Sequence, residues 1–149
     1  MKALISVIVI GIPIYFFVLA TISQARAAEG LQENQLTACS SKPNCVCSEC
    51  EKPDEHYVEP VVLSEFENEK VIQLIKNTLK AMGGDIVTET DVYIAATFTS
   101  TLFRFVDDFE IRIDAPGKTV HVRSASRVGY SDFGVNRKRV EKFRTLLEN

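Results

Sequence analysis

Phe109-Glu110-Ile111-Arg112-Ile113-Asp114-Ala115-Pro116-Gly117-Lys118-Thr119-Val120-His121-Val122-Arg123 alternates apolar and polar residues on both sides of a Pro-Gly pair. Period two is the signature of a strand with one face on a core. Pro and Gly occupy the preferred central places of a tight turn. With Pro116 and Gly117 as the loop, Ile111 faces Val122 and Ile113 faces Val120. On the other face Glu110 meets Arg123, and Arg112 meets His121. A slip of one residue would set apolar against polar throughout, so the pattern fixes the register. Glu110–Arg123 is a favourable cross-strand pair. The polar face, with Glu110, Arg112, Asp114, His121 and Arg123, reads as solvated.

Working outward, Ile94, Ala96 and Phe98 alternate with Tyr93, Ala95 and Thr97. Val92 to Thr99 therefore predicts a half-buried strand, preceded by a shorter one over Ile86–Thr90. Leu102–Val106 reads as a further strand. Upstream, Val71, Ile72, Ile75, Leu79 and Met82 recur at helical spacing, and Gly83-Gly84 ends that helix. Ser64-Glu65-Phe66-Glu67 fits a capping box at its start. Downstream, Val140, Phe143 and Leu147 predict a final helix over Asn136–Leu147, whose other face is basic. The fold class is α+β: an antiparallel sheet of about four to five strands with two helices, one before and one after the strands, packed on one face.

The first residues differ in kind. From Ala3 to Ile22 the chain is apolar apart from Ser6, Gly11, Pro13 and Thr21. About 19 helical residues span roughly 28 Å, close to a bilayer core. Ala25-Arg26-Ala27 fits the small-residue rule for cleavage after Ala27. A cleaved signal peptide and a retained membrane anchor both place the rest of the chain outside the cytoplasm, in the periplasm or against the cytoplasmic membrane. Leu36-Thr37-Ala38-Cys39 imitates a lipoprotein box, but mostly polar residues separate it from the apolar run. The predicted organisation is residues 1–27 as signal or anchor, 28–60 as an irregular Cys-rich segment and 61–149 as the α+β domain.

Lys2 and Arg26 are two of 17 basic groups, so the chain after residue 27 has 15 against 20 acidic ones. That balance excludes a nucleic-acid binder, which is usually basic. The charge is uneven: residues 104–144 carry 10 basic and 6 acidic groups. All four cysteines, Cys39, Cys45, Cys47 and Cys50, fall within one short stretch. An even count in an exported chain argues for disulfides. Three connectivities exist, and Cys39–Cys45 with Cys47–Cys50 closes both loops without crossing. The spacing lacks the paired C-x2-C knuckles of a zinc site, so no metal is expected. The acidic flanks Glu49, Glu51, Asp54 and Glu55 argue against a redox role for Cys47 and Cys50.

The densest polar run, Arg123 to Arg137, joins the last strand to the last helix. Helix N-termini bind anions, and Arg forks suit phosphate or carboxylate. This predicts an anion or lipid-headgroup site built from Arg123, Arg127, Ser131, Asn136 and Arg137. The competing reading is an ordered connector, its arginines satisfied by Asp107, Asp108 and Asp132. Enzyme signals are thin: His56 and His121 are the only histidines, and no nucleophile elbow or phosphate-binding glycine loop is present. No catalytic residue and no cofactor is predicted. Two alternatives to a binding domain stand. One is a hydrolase or transferase with Asp132 as general base; the other is a structural protein meeting acidic partners or lipid through the basic face of the last helix.

Leu36-x2-Cys39 followed by Lys42-Pro43-Asn44-Cys45-Val46 resembles the entry motif of the domain-of-unknown-function 1499 family. Arg104-Phe105-x-Asp107-Asp108-x-Glu110-x-Arg112 is similar to its core. So is Val122-Arg123-Ser124-Ala125-Ser126-Arg127-x-Gly129-x-Ser131-Asp132-x-Gly134-x-Asn136-Arg137-x-Arg139-Val140-Glu141. The resemblance covers about Leu36 to Leu147. It implies a small domain, often behind an export or anchor segment, in bacteria and photosynthetic eukaryotes, and implies no activity. It also implies a Cys39–Cys45 bridge, with Cys47 and Cys50 as an added local pair.

Overall fold

The computed structural model describes residues 2–52, 54–64, 67–116 and 118–148, with side chains of the first helix from Gly11 onward. The elements are helix α1 (Lys2–Ala25), β1 (Leu31–Gln32), β2 (Gln35–Leu36), β3 (Cys45–Cys47) and β4 (Val61–Val62). Then come α2 (Asn68–Ala81), β5 (Asp85–Glu89), β6 (Tyr93–Thr99), β7 (Val106–Asp114), β8 (Thr119–Ser126) and α3 (Val135–Glu148).

The hairpin forms in the predicted register: Ile111 pairs Val122, Ile113 pairs Val120, Glu110 pairs Arg123 and Arg112 pairs His121. Lys118 N donates to Ala115 O at 3.1 Å and closes the turn. Gly117, predicted as its second central residue, lies outside the described residues. Around this hairpin the sheet runs β3-β8-β7-β6-β5, with β4 also on β8, and every ladder is antiparallel. The architecture is α+β, with α2 and α3 on one face. Their stripes (Val71, Ile75, Leu79; Val140, Phe143, Leu147) meet Phe109, Ile111, Val120 and Val122 in the main core.

Several expectations are corrected. The helix after the Cys-rich segment begins at Asn68, not after Ser64; Glu67 is its N-cap and its side chain makes no capping bond. Glu65 and Phe66, the middle of the expected capping box, lie outside the described residues. The helix end is as read: Gly84 N reaches Leu79 O and Gly83 N reaches Lys80 O, with Gly83 at φ 87°. That double bond satisfies two orphan carbonyls, and the positive φ suits glycine.

Leu102–Phe105 is a turn, and extended structure resumes only at Val106. Ser100 explains this, because its Oγ accepts from Phe105 N at 2.9 Å while Arg104 sits at φ 59°. Val92 likewise belongs to the β5–β6 turn, where Thr90 Oγ1 accepts from Tyr93 N.

The segment expected to be irregular supplies β3 to the edge of the sheet, with Cys45 opposite Ala125 and Cys47 opposite Arg123. It then crosses the sheet's second face. Leu36, Cys47, Tyr93 and Ala95 are buried together there, packed by Ala28, Leu31, Cys39 and Cys50. β6 is therefore covered on both faces, not half-buried. The C-terminal end of α1 docks on the same side: Ser23 is fully buried, its Oγ accepts from Val106 N at 2.8 Å and contacts Val106 O at 3.3 Å. Among the residues with described side chains, which in α1 begin at Gly11, no helix is long and apolar enough to cross a membrane.

Candidate functional site

The polar face of the hairpin, expected in water, is roofed by residues 28–50. Glu110 is 0% exposed and Arg123 is 4% exposed. A carboxylate taken out of water must have its lone pairs filled. Glu110 accepts from Arg123 Nη1 at 2.5 Å, from Tyr93 OH at 2.7 Å and from Gly30 N at 2.8 Å. Burial first, and then the Glu110 carboxylate, push the Tyr93 hydroxyl well above its usual range, so it stays a donor.

Two further pairs flank this one. Arg112 grips Glu49 through Nε and Nη2, while Glu49 also accepts from Leu36 N. Arg127 forks onto Asp108, Nε to Oδ2 at 2.9 Å and Nη2 to Oδ1 at 2.7 Å. On the opposite face Arg139 holds Asp107 at 2.9 Å, so the adjacent aspartates do point apart as extended geometry requires.

Beside the Arg123–Arg127 end lies a cavity of about 440 Å³. Its walls are the last turns of α1, the Cys39–Cys45 loop and the end of β8. Four cations (Arg26, Lys42, Arg123 and Arg127) and two carboxylates (Glu29 and Asp108) face it. Arg123 Nε is buried and has no hydrogen-bond partner among the described residues. A buried donor left unpaired costs about 1–3 kcal/mol, and Arg144 Nε, which does not line the cavity, is in the same state.

The five residues predicted as one anion site are divided by the fold. Arg123 and Arg127 line the cavity. Asn136 is buried inside the protein, donating to Asn44 O and Ser126 Oγ at 3.0 Å each and accepting from Ser124 Oγ at 2.6 Å. Arg137 is turned onto the Glu55 and Tyr57 carbonyls. Ser131 Oγ accepts from Phe133 N in a local turn. Lys42 and Arg26 complete the cation set and were missed. Lys42 sits inside the quoted entry motif, yet only the β3–β8 pairing brings it to the same cavity wall as Arg123.

Asp132 accepts from Gly134 N at 3.0 Å and Asn136 N at 2.7 Å, capping α3. Those two donors take one lone pair on each Asp132 oxygen, so a capping role accounts for the residue without catalysis, although it also lines a small cavity with His56 and Arg137. The basic face of α3 is also partly consumed, because Arg137 and Arg139 turn inward. That weakens the reading in which it meets an acidic partner.

Cys39 and Cys45 are joined, with Cα atoms 5.7 Å apart. Cys47 and Cys50 are free thiols, so the expected second bridge is absent. Cys47 is held in β3, its Sγ accepting from Glu49 N at 3.3 Å. Burial pushes its thiol up to about 12. A thiol that stays protonated is inert as a nucleophile, and burial, more than the acidic flanks, is the cause.

His121 sits between Ser48 Oγ (3.5 Å) and the Glu49 carboxylate (3.9 Å). Burial lowers its pKa and Arg112 adds to this, against the pull of Glu49 and Asp114. The folded protein therefore takes up this proton less readily than the unfolded chain. Its contribution is present above the ordinary histidine value near 6.5 and is lost as pH falls below it. Between pH 7.5 and 5 the wild type should lose more stability than His121→Gln in thermal unfolding. Parallel curves for the two proteins would refute this.

No curated protein shows significant similarity to the chain. Residues 35–147, from β2 to the last turn of α3, match the family described as protein of unknown function (DUF1499). That span holds the disulfide, the three arginine–carboxylate pairs of the roofed face and the β3–β8 wall of the cavity, and on this match the chain belongs to the DUF1499 family.

Proposed function

We propose that the protein is a membrane-anchored domain outside the cytoplasm that binds an anionic group, a phosphate or lipid headgroup, in the cavity beside Arg123. The observation that carries the reading is the charge of the cavity wall: Arg26, Lys42, Arg123 and Arg127 line it against Glu29 and Asp108, and Arg123 keeps a buried, unpaired Nε beside it. Retention of the apolar segment is supported by the way α1 is tied to the domain. Beyond the Ser23 bonds, Arg127 Nη1 donates to Ser23 O at 3.2 Å and Arg26 Nη1 donates to Arg127 O at 2.5 Å. Cleavage after Ala27 would remove Leu19, Ile22 and Arg26 from the cavity wall.

The test uses full-length protein in neutral detergent. Inorganic phosphate and short-chain phosphatidylglycerol are titrated separately, and the melting temperature is followed. Binding to the folded state alone stabilises it by about 2.7 kcal/mol at a ligand concentration of roughly one hundred Kd. A rise with either probe is expected, and which probe acts separates headgroup from free phosphate. Lys42→Glu should abolish the rise and leave the ligand-free melting temperature in place, because Lys42 is exposed. Arg127→Glu is the poorer variant, since it sets a carboxylate against Asp108. No rise with either probe, or an undiminished rise in Lys42→Glu, would sink the reading.

A further inference from the structure

We infer that one end of the domain, formed by the β6–β7 and β8–α3 connections, lies on the surface of the bilayer. This rests on the anchor reading of α1 given above, and adds which surface of the domain the membrane touches.

The two connections are neighbours although they are distant in sequence. Asp107 pairs with Ser126 across β7 and β8, and Arg127 N donates to Val106 O at 3.2 Å. α1 reaches the domain at the same end. Gln24 Nε2 donates to Arg104 O at 3.2 Å, and just over two turns further out Phe16 stacks on Phe103 with centroids 4.5 Å apart. The helix therefore runs outward past the β6–β7 connection, and any bilayer holding it lies beyond that connection.

The side chains presented there are unusual for a surface in water. Leu102 is 78% exposed, Tyr130 70% and Phe133 91%. Among the described residues, every large exposed aromatic side chain lies on α1 (Tyr15, Phe17) or on these two connections (Phe103, Tyr130, Phe133). The opposite end, with the β7–β8 turn and β4, exposes Val62 and no aromatic ring. Aromatic residues concentrate where an apolar body meets a wet headgroup layer. Cations beside them attract anionic lipid, and here Arg104 stands between Phe103 and Phe105, exposed. Chemistry and placement agree on a lipid surface, and the cavity beside Arg127 opens at the same end of the sheet.

The chain contains no tryptophan, so one introduced indole reports without background. Full-length Ile12→Trp, Phe103→Trp, Phe133→Trp and Val62→Trp are placed in vesicles of phosphatidylcholine and phosphatidylglycerol, with and without brominated acyl chains. Ile12→Trp, one turn beyond the Phe16–Phe103 contact, reads the anchor, and Val62→Trp reads the distal end. Loss of emission at 103 and 133 but not at 62 is the expected result. Quenching at 12 with 103 and 133 as bright as 62 would overturn the docking and leave the anchor standing. No quenching at 12 would overturn the anchor, and the docking with it. Phe133 is nearly fully exposed, so its exchange for Trp tests the surface without disturbing the Phe16–Phe103 stack.

Discussion

Glu110→Ala should lower the stability of the folded domain by about 3–5 kcal/mol, the cost of leaving one charge of a buried pair without its partner. The size follows from where the pair sits. In water a cross-strand Glu–Arg pair contributes about 0–1 kcal/mol. Here both groups are covered, and Glu110 fills its lone pairs with a guanidinium, a phenol and a backbone N–H. Removing the carboxylate strands all three donors. It also leaves Arg123, whose Nε is already unpaired, with only Glu29 at 3.3 Å, a side chain that is 56% exposed. Glu110→Gln keeps the shape and should cost less. Replacing both partners with leucine should cost less than the sum of the two single changes, because neither then leaves a buried charge. Urea unfolding of the wild type, Glu110→Leu, Arg123→Leu and the double variant gives the cycle. A loss near 1 kcal/mol for Glu110→Ala, or strict additivity, would mean that the face is wet and that residues 28–50 do not close over it.

That burial is what the sequence could not convey. The hairpin register was legible because period two is a local signal and a one-residue slip reverses every side chain. The same alternation made Glu110, Arg112 and Arg123 look solvated, since polar residues on one face of a strand usually are. Nothing within the hairpin says that a segment some eighty residues earlier will lie across it, as Gly30 does on Glu110 and Cys45 on Ala125. The candidate site divides for a similar reason. Arg123 and Arg127 are neighbours of Arg137 in sequence. The turn into α3, capped by Asp132, rotates Arg137 toward Tyr57 and buries Asn136. Lys42 and Arg26 belong with Arg123 only through tertiary contacts, and adjacency in the chain carries no trace of them. The second cysteine pair was misread for the opposite reason. The non-crossing rule treats Cys47 as loop, whereas β3 fixes it in a strand with its thiol turned into a packed cluster.

Asn136→Ala carries the other large expected effect, a loss of about 2–3 kcal/mol, and it should act locally on the cavity wall. The Asn136 amide is 1% exposed and joins three parts of the chain. Its Nδ2 donates to Asn44 O in the disulfide loop and to Ser126 Oγ in β8, while its Oδ1 accepts from Ser124 Oγ and from Arg139 Nη1 in α3. Truncation leaves the Ser124 hydroxyl buried without its acceptor and costs Arg139 one of its bonds, although Arg139 keeps Asp107. Asn44 O retains Ser126 N at 2.9 Å, so the β3–β8 ladder should hold while the loop before it loosens. Hydrogen exchange can see that difference. Amides of the Asn44 region should exchange faster in Asn136→Ala, and those of β6 and β7 should shift only by the global loss of stability. Asn136→Asp separates the two halves of the network: it keeps the acceptor for Ser124 and Arg139 but removes both donors. If the amide works mainly by anchoring the disulfide loop, Asn136→Asp will loosen the Asn44 region as much as Asn136→Ala does. If instead it works by holding Ser124 and Arg139, Asn136→Asp will leave that region as protected as in the wild type, and the Cys39–Cys45 wall of the cavity stands without it.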